Sequence, residues 1–160
     1  MSTEFNSPQI PAMGLVANLE EDDRLLLSSY GEFLPVQEDQ LLIEEGQEQD
    51  ALYLVISGIL HVHTDDGEKR TLMARVEPGE SLGEINMFDP GTASASVTAK
   101  TFSQVWKATR DDVEAFMHEY PDAGNQLLTA MVAEMSRRIR HMNEKLAAIE
   151  AEAAYRSFWE

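Results

Sequence analysis

The sequence predicts a mainly β fold, a jelly roll, barrel or sandwich, with helices at both ends. Three observations predict it. Between residues 32 and 109, short apolar runs alternate with Gly-, Pro- and Asp-containing turns, the spacing of short strands in an all-β unit. From about residue 126 onward, apolar residues recur in steps of four and three, the period of a long helix with one apolar seam. Between them, residues 78–97 open on a Pro78-Gly79 turn and close on small residues alternating toward Val97. The apolar turn inside that stretch, Ile85 to Phe88, is too short for a full strand or helix.

Each element has its own justification. Residues 1–11 are polar, with Pro8 and Pro11 and little periodicity, and are expected to form a loose arm. Residues 12–30 are expected to be helical, because Leu15, Val16, Leu19, Leu26 and Leu27 fall near helical spacing, with a solvated break around residues 20–23 and a stop at Gly31. Residues 33–36 read as an edge strand because of Pro35, residues 41–43 as a second, and residues 44–50 as a polar turn. Residues 52–56 form a buried-type strand ending at Ser57-Gly58. Residues 59–64 and 71–76 flank a hairpin signal, Asp65-Asp66-Gly67. Residues 97–109 supply the last strands, and residues 111–117 a short helix with acidic residues at its positive end. Tyr120-Pro121-Asp122 interrupts that helix.

Length and charge bound the class. At 160 residues the chain suits one domain with a real core. The formal net charge is −17, and Arg24 is the only Lys or Arg in residues 1–60. Such a surface repels phosphate backbones and anionic bilayers, so neither nucleic acid nor membrane is an expected partner. There is no cysteine, hence no disulfide or thiolate metal site. No apolar run reaches membrane-spanning length and no signal pattern opens the chain, so a cytoplasmic location is expected.

The final seam runs Leu128, Val132, Met135, Ile139, Met142, Leu146, Ile149, Ala153. Val132, Ile139 and Leu146 take the a positions and Met135, Met142 and Ile149 the d positions of a heptad. Lys145 at g and Glu150 at e of a partner are placed for a salt bridge. The stripe could pack on its own β domain, and residues 128–135 are expected to do so. The seam continues too far for one small domain to cover, so Val132, Met135, Ile139, Met142, Leu146 and Ile149 are expected to pair two copies as a homodimer.

These residues together resemble the cyclic nucleotide-binding domain family of the catabolite activator protein, the regulatory subunits of cyclic AMP-dependent kinase and the cyclic nucleotide-gated channels. Gly46 and Asp50, followed by residues 52–58, are similar to its glycine–aspartate turn and the strand ending in glycine. Residues 78–84 resemble the approach to its phosphate-binding cassette, and residues 97–101 the strand that leaves it. The resemblance implies an eight-stranded β-roll over residues 12–120, flanked by an N-terminal helix, with residues 121–160 as a capping or dimerising helix. In the family's transcription factors a helix-turn-helix domain follows that helix; within these 160 residues none is expected.

The resemblance also implies a site. Glu84 would accept a ribose 2′-hydroxyl, and the backbone around Leu82, Gly83, Ile85 and Asn86 would help hold a cyclic phosphate. The family's arginine position falls on Ala93, followed by Ser94, Ala95 and Ser96, and Asn86 stands where alanine is usual. A charge-assisted hydrogen bond contributes about 1.5–3 kcal/mol and a bidentate pair more, so losing the arginine weakens a nucleotide by roughly a hundredfold or more. The expectation is a non-enzymatic regulator that takes a cyclic nucleotide such as cyclic AMP or cyclic GMP weakly or atypically, signals to a protein partner through its last helix, and uses no cofactor. The alternative is a vestigial pocket in a dimeric interaction module, with Glu84 holding turn geometry. A further alternative is a metal-dependent cupin-like enzyme around His61, His63 and Glu68, although a third histidine is not found and no catalytic pairing stands out. Arg137, Arg138 and Arg140 read as a solvated flank pairing with acidic neighbours in the dimer, and His118 and His141 as surface residues of the helical region.

Overall fold

In the computed structural model, which describes residues 8–159, strand β4 (Ala51–Ser57) shows how the molecule is layered. Its first five residues are all buried because both faces are covered. Leu52 and Leu54 point toward the helices and join a core with Trp106, Phe116, Leu127 and Met131. Tyr53 and Val55 point the other way, into a second core with Val36, Leu60, Val97 and Val105. The first core glues the helices to the roll, and the second fills the roll itself.

Among the described residues ten strands build it, in two four-stranded antiparallel sheets and a two-stranded ribbon. The first sheet runs β1 (Glu32–Val36), β10 (Ser103–Thr109), β4, β7 (Ser81–Leu82). The second runs β2 (Leu41–Ile43), β9 (Ser96–Ala99), β5 (Leu60–Asp65), β6 (Arg70–Val76). The ribbon pairs β3 (Glu48–Gln49) with β8 (Gly91–Thr92), inside the stretch expected to be a plain polar turn. The strand count exceeds the expected eight through such two-residue pieces. Pro35 does lie on an edge strand, where a missing N–H is tolerated.

The N-terminal helix is shorter than expected. A single 3-10 turn at Gly14–Val16 precedes α1 (Glu21–Tyr30), whose first turn carries Glu21, Asp22 and Asp23. The acidic triplet therefore opens a helix at its positive end rather than breaking one. Residues 1–7 of the expected arm lie outside the described residues. At its end Ile10 is fully buried, with its N–H donating to Ser28 Oγ at 2.9 Å, so looseness does not extend to Pro11.

After the roll, α3 (Arg110–Glu119) starts on a capping box: Thr109 Oγ1 accepts from the Asp112 N–H, and Asp112 Oδ2 accepts from the Thr109 N–H. The long α4 (Pro121–Trp159) starts five residues before the apolar seam becomes readable at Gln126. Pro121 occupies its first position, where a missing N–H costs nothing. Ala123, Gly124, Leu127 and Met131 pack this helix on the roll. Leu128 is not among the buried residues, so the roll-facing stripe is offset by one residue from the one expected.

Candidate functional site

The turn from β7 into α2 (Glu84–Phe88) is tightly constrained at its glycine. Gly83 caps α2 in the left-handed region, with φ 90°. A Cβ there would also collide with the carbonyl oxygen of Ala51, so only glycine satisfies both backbone and space. The turn places Glu84 at the head of α2, with the first-turn N–H groups free of intrahelical acceptors.

Glu84 is 1% exposed. Ser81 Oγ donates to its Oε1. Its Oε2 meets Arg138 Nη1 at 3.1 Å. Arg138 comes from α4, 54 residues away in sequence. Its Nη2 donates to the Ser81 carbonyl oxygen at 2.6 Å and its Nε to Glu134 Oε1 at 3.2 Å. One guanidinium thus fastens α4 to the roll at β7 and at α2. The side chain is 37% exposed, so it bridges the interior and solvent.

Glu84 and Arg138 border a cavity of about 190 Å³. All eight residues expected at the site, Leu82, Gly83, Glu84, Ile85, Asn86, Ala93, Ser94 and Ala95, line it. Ile43, Gln49, Val62 and Val97 complete its wall from other strands, and among the described residues Arg138 is the only Lys or Arg on it. The β3–β8 ribbon holds residues 91–95 in place, since Ala93 N–H donates to Gln47 O and Gly46 N–H to Ala93 O. Asn86 Nδ2 reaches the Thr92 carbonyl at 3.3 Å, which ties α2 to the same segment. Ala93 sits against the cavity with no cation of its own.

Sequence reasoning missed Arg138 and assigned it to a solvent-facing flank with dimer partners. The structure corrects this: its partners are Glu84, Ser81 and Glu134 of the same chain. Arg137 pairs with Glu134 of its own helix at 2.7 Å. The Glu134 carboxyl is held below its ordinary pKa, first by hydrogen bonding from Arg137 and further by Arg138, against the opposing effect of burial.

His61 and His63 lie outside this cavity, on the opposite face of β5 from Val62. Among the described residues no three His, Asp or Glu side chains are grouped to hold a metal ion.

A family model for the cyclic nucleotide-binding domain matches residues 33–120. The chain belongs to the cyclic nucleotide-binding domain family. A CRP-like cAMP-activated global transcriptional regulator of Mycobacterium tuberculosis is 31% identical over 105 residues, 64% of this chain and 45% of that protein. The catabolite activator protein of Thermus thermophilus superposes with a TM-score of 0.75 at 26% identity, over 86% of this chain and 63% of that one. A lysophospholipase, nte1, of Neosartorya fischeri is 28% identical over 116 residues, 71% of this chain but 7% of the enzyme. The family's domain therefore occurs in regulators and also as a small part of an enzyme. The chain spans about half the length of the regulators it matches. Among the described residues no helix is long and apolar enough to cross a membrane.

Proposed function

We propose that this domain is a non-enzymatic sensor that binds a cyclic nucleotide such as cyclic AMP or cyclic GMP in the cassette cavity, weakly, and passes the event to α4 through Arg138. The observation that carries the reading is the buried Glu84 on the cavity wall, joined by Arg138 to the long helix. A carboxylate has about four lone-pair positions. Ser81 and Arg138 engage two of Glu84's, which leaves acceptor capacity for a ribose hydroxyl. Arg138 likewise has about five N–H donors, of which three hydrogen bonds are described.

Weak binding follows from charge. The one cation on the cavity is flanked by two carboxylates, Glu84 and Glu134, so the cluster of three carries −1 and does not attract a cyclic phosphate. A cation at Ala93 would reverse that balance. Binding that draws Arg138 toward the ligand loosens its grip on Glu84 and frees α4 to move, and the preferred ligand is the one that binds the two helix positions unequally. The exposed seam Val132, Ile139, Met142, Leu146, Ile149 then carries the signal to a second copy or a protein partner.

A second reading rests on the same bridge. Because Ser81 and Arg138 already satisfy Glu84, the pocket can hold its shape with no ligand, and the domain would serve as a dimeric interaction module. Thermal melting with cyclic AMP and cyclic GMP separates the two. Ligand at about a hundred times its dissociation constant adds about 2.7 kcal/mol, read as an upward shift of the midpoint. No shift at millimolar nucleotide would leave only the second reading.

A further inference from the structure

On the far side of the β2-β9-β5-β6 sheet lies a second cavity, of about 310 Å³. Its wall is formed by Asp39, His61, His63, Arg70, Leu72, Thr98, Ala99 and Lys100. We propose that this cavity is a binding site for a small oxyanion, a phosphate or carboxylate group, held by His63, Arg70 and Lys100, with Thr98 setting the His63 tautomer.

His63 is 1% exposed, and its Nδ1 is buried with no hydrogen-bond partner. Buried polar nitrogens are rarely left so, and each such exception calls for a missing partner. The other ring nitrogen, Nε2, stands 2.8 Å from Thr98 Oγ1. When the Thr98 hydroxyl donates to Nε2, Nδ1 carries the proton and becomes a donor. Its nearest acidic neighbour, Asp65 Oδ2, is 3.5 Å away, while the other oxygen of Asp65 is engaged by Arg70 Nε at 3.3 Å. An irregularity in the β5–β6 pairing falls between Val62 and His63. The extra residue is Met73 of β6, between Leu72 and Ala74, so it is β6 that bends, next to Leu72 of the cavity wall.

The charge of the region favours an anion. Arg70 and Lys100 line the cavity; Arg75 of the same sheet lies off its wall and pairs with Glu77 at 3.3 Å. Asp39 and Asp65 are the acids facing the same histidines. Burial lowers the His61 pKa, and Lys100, Arg75 and His63 lower it further, so cations dominate the field at that ring. On the cavity wall itself Arg70 and Lys100 face one acid, Asp39, so an anion would be held there by directed donors rather than by a long-range field. The site is separate from the cassette cavity, since strand alternation sends Val62 to one side and His61 and His63 to the other.

The test is a titration followed at the histidine ring signals by NMR, at neutral pH and constant ionic strength, with inorganic phosphate in one arm and acetate in the other. The expected result is a saturable shift of the His63 ring signals in at least one arm, which also names the ligand chemistry. The double substitution R70A/K100A, at two solvent-facing positions, should weaken that binding by about fivefold or more, a change of about 1 kcal/mol. Two results would overturn the proposal: no saturable shift at His63 with either anion, or a shift that the double substitution leaves unchanged.

Discussion

At Glu84 and Arg138 the cost of losing either side chain depends on what is left behind. Removing Arg138 leaves a carboxylate that is 1% exposed with Ser81 as its remaining partner, whereas removing Glu84 leaves a guanidinium that solvent already reaches. R138Q is therefore expected to destabilise the fold more than E84Q. In denaturant unfolding, a double-mutant cycle with E84Q/R138Q should give a coupling of about 1–3 kcal/mol. Equal single costs with no coupling would mean that solvent screens the bridge. Glu134 adds a pH dependence. Its folded pKa is depressed, so its contribution is present above the unfolded value, about 4.3 for a free glutamate, and is lost as pH falls through the lower folded value. E134Q should melt below the wild type at neutral pH, with the gap closing under acid; a gap that persists would remove Glu134 as its source. At this scale the sequence disclosed only the local half of the site. Leu82 to Asn86 and Ala93 to Ala95 lie within one continuous segment, and Gly83 marked its turn. Arg138, Gln49 and Val62 come from distant elements, and nothing near them in sequence ties them to a cavity.

Elements were legible wherever one physical signal dominated. The apolar run of β4 announced burial on both faces, and Asp65-Asp66-Gly67 announced the β5–β6 hairpin. The β3–β8 ribbon was not legible, because two residues hold no periodicity and the pairing depends on a contact 42 residues apart or more. The stripe of α4 was legible as a seam but its allocation was not. Leu127 and Met131 face the roll, while Ile139 is 58% exposed and Val132, Met142, Leu146 and Ile149 are similarly bare. Single apolar residues on a surface need no explanation, but a continuous stripe does. Replacing Ile139 with aspartate should convert a dimer into a monomer in light scattering, and should change the melting of an isolated roll by no more than about 0.5 kcal/mol. A wild-type chain that is already monomeric at micromolar concentration would refute the pairing.

Across the whole molecule, one core and one guanidinium set the relation between roll and helix. Packing of Ala123, Gly124, Leu127 and Met131 fixes the near half of α4, and Arg138 is the last anchor before the helix leaves the roll. Any ligand that competes for Glu84 or Arg138 acts at that final anchor. The fold was legible from the order of its turns and strands. The occupancy of the cavity was not, because a missing cation at Ala93 and a cation delivered by α4 change affinity without changing the fold. Calorimetric titration of cyclic AMP into the wild type and into A93R tests this most directly. The account predicts weak, saturable binding to the wild type and binding about a hundredfold tighter, about 2.7 kcal/mol, to A93R. A folded A93R protein that, like the wild type, gives no heat with cyclic AMP or cyclic GMP would contradict it.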